Sequence, residues 1–192
     1  MAEEIILGGS GGQGILFIGW LLAEAAFLEG REVVYMPSYG AEKRGGIVWC
    51  HVTISEEKIG SLFVTRPTVA LAMDSVSLIK LETAMKSGGL LVVNESLVTA
   101  KVNREDIQVI SVPASDLAME MGDGSVGNLI ALGVLLASRP VVSVASLGMA
   151  LDRMLAKDPE RLEVNKRAFH QGYALRKEVR APSVSSGGKR EE

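Results

Sequence analysis

The chain is short of cysteine, of unbroken apolar runs and of surplus positive charge, and each shortage removes a class of function. Among its 192 residues there is one cysteine, Cys50. A single thiol closes no internal disulfide, and it holds neither an iron–sulfur cluster nor a cysteine-rich zinc site. Any redox metal that serves this protein therefore belongs to another chain. The lone thiol is in keeping with a reducing cytoplasm, the location we expect. The apolar stretch VGNLIALGVLLASRPVV is broken by Asn128, Arg139 and Pro140, so no membrane span is expected. The opening MAEEIILGG is acidic, and its apolar run is too short for a secretory signal. A net charge of −3 gives no general affinity for nucleic acid.

Other absences narrow the chemistry further. The phosphate-binding pattern GxxxxGK[ST] is missing. The two histidines, His51 and His170, have no second ligand at metal-binding spacing. Ser10 lacks the histidine and acid context of a nucleophile. Glu56 and Glu57 read as solvated turn charges, and the eight methionines as core or interface filling.

What is present is an alternation of apolar runs. EEIILG is a short apolar strand ended by glycine, followed by the helical run GILFIGWLLAEAAFLEG, which stops at Gly30. REVVYMP is a second strand, which predicts a β-α-β crossover. IVWCHVTI, TVALAMD, LLVVNES and IQVISVP continue the strands, and Asp74 stands where it can cap the helix SVSLIKLETAMK. From Ser115 the chain turns helical, and GSVGNLIALGVLLAS is apolar around most of its circumference and should be buried. The last helix opens with Asp158 as cap, Pro159 at the first helical position and Glu160 in the first turn. The pattern predicts a three-layer α/β/α domain with a mostly parallel central sheet and a helical C-terminal part. We place the domain at residues 1–179 and expect the Gly/Ser-rich tail 180–192 to be disordered.

Two loops carry the functional signal. Gly9, Ser10, Gly11, Gly12, Gln13 and Gly14 satisfy G-x-G-x-x-G after a strand and before a helix. Glycines let the backbone approach a ligand, and the helix N-terminus offers free N–H groups and partial positive charge. A dinucleotide site also wants an acid about 20 positions on, at the end of the second strand, to hold the ribose. That strand ends VVYMPSYG with no acid, and Glu42 lies beyond it in the next loop. The glycine loop is thus open to three readings: a dinucleotide site, a cradle for another anion, or a tight turn. The second loop, PSYGAEKRGG, sets Ser38, Tyr39, Glu42, Lys43 and Arg44 between glycines at the end of a strand. Arg44 is suited to a bidentate grip on carboxylate or phosphate, with Glu42 orienting it.

Together, GGSGGQGI and PSYGAEKRGG resemble the gamma subunit of the 2-oxoacid:ferredoxin oxidoreductases. VALAMD, GGLLVVN, GNLIALGVLL and DPERLEVNKRAFHQGY follow in the same order, so the resemblance spans Glu4 to Tyr173. It implies an accessory subunit of a multi-subunit enzyme that oxidatively decarboxylates a 2-oxoacid, transfers the acyl group to coenzyme A and reduces ferredoxin. Thiamine diphosphate and iron–sulfur clusters are then expected on partner subunits, with no complete active site here. The segment GDGSVGN, Gly122 to Asn128, carries the GDG of thiamine sites. The only later asparagine, Asn165, is too distant, so the segment reads as a loop before a helix. The RGG ending of the second loop is more like the 2-oxoglutarate and branched-chain types than the pyruvate type, and indolepyruvate enzymes share the domain. The candidate binding residues are Gly9, Gly11, Gly12, Gln13, Gly14, Ser38, Tyr39, Glu42 and Arg44. Asn128 joins them as a polar residue in an apolar helix, with a buried, satisfied amide as the alternative. A stand-alone dinucleotide-binding module and a pure scaffold remain as competing readings.

Overall fold

The computed structural model describes residues 2–40 and 46–175. Six strands form one sheet: β1 (Glu3–Ser10), β2 (Glu32–Tyr39), β3 (Ile47–Ser55), β4 (Val69–Ala72), β5 (Leu90–Asn94) and β6 (Gln108–Val112). Their spatial order is β2-β3-β1-β4-β5-β6. The β1–β4, β4–β5 and β5–β6 pairs are parallel, while β3 runs antiparallel to both neighbours. The sheet is mostly parallel, as expected, but the expected β-α-β crossover is not between neighbours. β3 inserts between β1 and β2, because β2 and β3 form a hairpin whose connection is the second loop. A strand, a glycine-bearing polar loop and a second strand are a hairpin signature. The edge strand β2 tolerates Pro37, which has no N–H to give to a ladder.

The helices are α1 (Ile15–Leu28), α2 (Ser75–Ala84), α3 (Ala114–Glu120), α4 (Gly127–Ser138), α5 (Val144–Met154) and α6 (Pro159–Leu175), with a 3-10 turn at Gly124–Val126. Each starts or stops for a local reason. Asp74 caps α2 by accepting the Ser77 N–H at 2.8 Å, and Asp158 caps α6 by accepting the Arg161 N–H at 3.0 Å. At the end of α1, Gly30 N–H donates to Phe27 O and Arg31 N–H to Ala26 O, which satisfies carbonyls the helix leaves open. No helix among the described residues is long and apolar enough to cross a membrane.

The two faces of the sheet are covered unequally. Ile5 and Leu7 of β1, Cys50, Val52 and Ile54 of β3, and Val69 and Leu71 of β4 point to one face, where α1, α3, α4, α5 and α6 pack. Ile6, Ala70, Ala72, Leu91 and Val93 point to the other, where Leu78 and Leu81 of α2 meet them. This alternation is the period of two that a strand imposes on its side chains. On the larger face α4 is buried from Gly127 to Ala137, so its apolar circumference is the signature of a helix packed on all sides. The β1 and β4 strands are parallel neighbours whose following helices, α1 and α2, lie on opposite faces. Their carboxyl ends therefore open a crevice at a topological switch point, where ligands of open α/β sheets bind.

Candidate functional site

The glycine loop stands over that crevice, between the end of β1 and the start of α1. Gly12 (φ 97°) and Gly14 (φ 70°) both adopt left-handed backbone, which glycine enters without the β-carbon penalty. The α1 helix begins at Gly14 with no side-chain cap and no acid in its first turn. Its first N–H groups and partial positive charge are left for another acceptor.

The rest of the loop is tied down. Gln13 folds back, its Oε1 accepting the Ser10 N–H at 2.7 Å, while Gln13 N–H donates to Ser10 O at 3.1 Å. Its Nε2 lies 3.4 Å from Met73 O across the crevice. Ser10 Oγ donates to Asp74 Oδ2 at 2.6 Å. Gly11 N–H donates to Gly46 O at 2.8 Å, at the far end of the second loop. From beneath, Asn128 Nδ2 donates to Gly14 O at 3.2 Å. Among the described residues, the N–H groups of Gly12 and Gly14 have no acceptor.

These bonds sort the sequence candidates. Gly9 is buried, and a β-carbon there would lie 2.5 Å from Gln13 Oε1 and 2.9 Å from Ile15 Cδ1, so it serves packing beneath the loop. Gly11 is exposed, yet its N–H is committed to Gly46. Gln13 shapes the turn with both ends of its amide. Gly12 is exposed, while Gly14 is half-buried, and a β-carbon there would overlap Asn128 Nδ2. Ser38 and Tyr39 are exposed at the end of β2, with Tyr39 71% accessible at the rim. Glu42 and Arg44 lie outside the described residues, as do residues 176–192 with the expected tail. The two loops nevertheless meet, since Ser10 pairs with Ile47 and Tyr39 with Val48 in one continuous ladder. Asn128 is 4% exposed, and its amide is satisfied by Gly14 O and the Leu129 N–H, so it stands as the buried, satisfied amide, one that braces the glycine loop from beneath.

Asp74 and Ser10 were not among the sequence candidates. Asp74 reads as a cap, and only the parallel pairing of β1 with β4 reveals that its second oxygen reaches Ser10. In the GDG segment, Asp123 accepts the Ser125 N–H at 2.9 Å and pairs with Arg161 Nη1 at 2.8 Å. Those bonds hold its carboxyl below the ordinary range, the Ser125 contacts contributing most. A carboxylate so engaged caps the turn leading into α4 and does not fit a thiamine diphosphate site on this chain. The crevice also departs from a dinucleotide fold. There the second strand lies beside the first and carries the ribose-binding acid; here β3 separates them and β2 ends in Pro37, Ser38 and Tyr39.

The comparisons with known proteins agree with this architecture. The chain is 38% identical over 135 residues to ketoisovalerate oxidoreductase subunit VorA of Methanothermobacter marburgensis, covering 70% of this chain but 28% of that protein. It is 35% identical over 182 residues to 2-oxoglutarate synthase subunit KorC of Methanocaldococcus jannaschii, covering 93% of this chain and 96% of that one. The fold matches 2-oxoglutarate:ferredoxin oxidoreductase from Magnetococcus marinus, solved with 2-oxoglutarate, coenzyme A and succinyl-CoA bound. That match has a TM-score of 0.84 and 27% identity, covering 93% of this chain and 32% of the other. The chain thus spans about a third of the length of some relatives and nearly all of others. The family model described as pyruvate ferredoxin/flavodoxin oxidoreductase matches residues 4–175, and the chain belongs to that family.

Proposed function

We propose that this chain is the gamma-type subunit of an enzyme that oxidatively decarboxylates a 2-oxoacid to an acyl-coenzyme A, with ferredoxin as electron acceptor. 2-Oxoglutarate is the first choice of substrate, supported by the end-to-end match to a 2-oxoglutarate synthase subunit. A branched-chain 2-oxoacid is the second, supported by the ketoisovalerate relative. Thiamine diphosphate, which stabilises the carbanion left by decarboxylation, and the iron–sulfur clusters belong on partner subunits. Ferredoxin then meets the assembled complex.

Within that complex the glycine loop and the second loop hold an anionic part of coenzyme A, a phosphate, at the sheet's carboxyl edge. The observation that carries this reading is the hydrogen bond from Gly11 N–H to Gly46 O, which makes the two loops one rim. Gly12 and Gly14 supply backbone N–H donors, the start of α1 supplies partial positive charge, and Arg44 supplies a full one. Glu42 orients Arg44, while Ser38 and Tyr39 form the outer wall. Gly9, Gln13 and Asn128 fix the loop from inside.

The test is Arg44→Ala in the reconstituted complex. The coenzyme A KM should rise about tenfold, the scale of one charge-assisted hydrogen bond, with kcat at saturation retained. An unchanged KM in a fully assembled complex would remove the ligand role. A thermal shift of the chain with NAD or FAD, and none with coenzyme A, would favour a dinucleotide-binding module instead.

A further inference from the structure

Asp74 is engaged twice. One carboxylate oxygen caps α2 at 2.8 Å from the Ser77 nitrogen, and the other accepts the Ser10 hydroxyl at 2.6 Å. A cap needs one oxygen. The second bond runs 64 residues along the chain, from the helix on the thin face of the sheet to the glycine loop that begins the helix on the thick face. It also crosses the crevice at the switch point. Beside it, Gln13 Nε2 approaches Met73 O, and Met73 N–H donates to Gly8 O at 2.9 Å. The loop is thereby held against the β4–α2 turn on one side and against Gly46 on the other.

We infer that Asp74 is a positioning residue that acts through Ser10. Its carboxylate sets the glycine loop so that the Gly12 and Gly14 N–H groups face the crevice in register for a phosphate. The inference rests on the anion-binding reading given under Proposed function. Its chemical logic is preorganisation. Gly12 and Gly14, lacking a β-carbon, have more conformational freedom to lose when fixed in left-handed backbone than other residues would. Every freedom removed before binding is one the ligand need not remove. A negatively charged acceptor is suited to this task, because its hydrogen bond to a hydroxyl is stronger than a neutral one. Asp74 itself is spent on Ser77 and Ser10, so it orients donors without entering the site.

Two substitutions separate this role from the cap. Ser10→Ala deletes the bridge and leaves the α2 cap untouched. Asp74→Ser keeps a good capping hydroxyl but is too short to reach Ser10 as well. In the reconstituted complex each should raise the coenzyme A KM about fivefold, the scale of one hydrogen bond, with kcat at saturating coenzyme A and subunit assembly unchanged. The double variant should be no worse than either single one, because both remove the same bond. Asp74→Asn should raise KM less than Asp74→Ser, since its amide oxygen can cap α2 while its Nδ2 donates to the Ser10 hydroxyl in a weaker, neutral bond. Additive losses in the double variant would overturn the inference, as would a lowered thermal midpoint with no change in KM. If Ser10→Ala and Asp74→Ser leave KM unchanged while Arg44→Ala raises it, the anion site stands and the bridge has no part in it. If none of the three changes KM, the anion site itself is wrong and the inference falls with it. Should Asp74→Ser fail to fold, Ser10→Ala decides alone between a raised and an unchanged KM.

Discussion

Two sets of glycines in this protein do opposite things. In the glycine loop, Gly12 has nothing within 4 Å of where a β-carbon would stand; glycine is there for its backbone angle. At the seam of α4 and α6, Gly133 and Gly172 have ordinary helical backbone and no space at all. A β-carbon on Gly172 would overlap the Ile130 carbonyl, and one on Gly133 would overlap Phe169 O. Gly12 leaves its backbone in open space, and the seam glycines let two helices close until backbone meets backbone. One residue type thus marks both the most open and the most tightly packed places in the fold. The sequence marks the first set as a loop but does not show how tightly the second is packed, because periodicity reports which face is apolar and not how near its neighbour lies.

Substitutions at the two places should therefore fail differently. The largest effect is expected at the seam. Gly172→Ala forces a methyl group into backbone that cannot yield, an overpacking cost of about 3 kcal/mol. The thermal midpoint should fall by roughly 10 °C for a chain of this size, measurable by calorimetry on the purified subunit. In whatever fraction folds and assembles, the coenzyme A KM should stay at the wild-type value. Asn128→Ala comes next and sits between the two places, on α4 but bonded to the loop. Loss of its bond to Gly14 O, with partial desolvation of what remains, should cost about 1–2 kcal/mol in chemical denaturation. It should also raise KM, so this variant should show both defects.

Gly12→Ala reverses the seam's behaviour. The methyl group meets nothing, and the left-handed backbone costs only about 1–2 kcal/mol. Its KM for coenzyme A should nonetheless rise, because the strained residue pulls the N–H out of register. A wild-type KM in this variant would dissolve the contrast between the two sets.

The smallest effect concerns a third close approach, Gly19 of α1 against Cys50 Sγ. Burial pushes the Cys50 thiol up to about 12. The Tyr35 hydroxyl is likewise raised to about 12, chiefly by burial and then by Cys50 beside it. Both groups are neutral in the folded state and lose protons more readily when unfolded. The stability tied to them is therefore complete below about pH 9 and is lost as pH rises toward 12. A denaturation midpoint followed across that window should fall less steeply in Cys50→Ala. Cys50 should also resist alkylation in the native protein at pH 8.

Much of the fold is legible in the residues. The six apolar runs became six strands, Asp74 and Asp158 capped the helices they precede, Gly30 stopped α1, and the evenly apolar α4 is buried. The candidate site is legible in outline, as two glycine-bearing loops at the carboxyl edge. What stayed hidden is who neighbours whom. The β-α-β reading of β1 and β2 missed that β3 lies between them, although the loop chemistry favoured a hairpin. Nothing near Ser10 in the sequence points to Asp74, and nothing near Gly14 points to Asn128, which lies 114 residues away.

The sequence by itself determined the local elements, their caps and the glycines a turn requires, since those depend on backbone sterics and on bonds spanning a few residues. Tertiary structure alone decided the inserted antiparallel strand, the switch-point crevice and the bonds that brace the loop. Those follow from which strands pair and which faces bury one another, and that choice is made by the whole core at once.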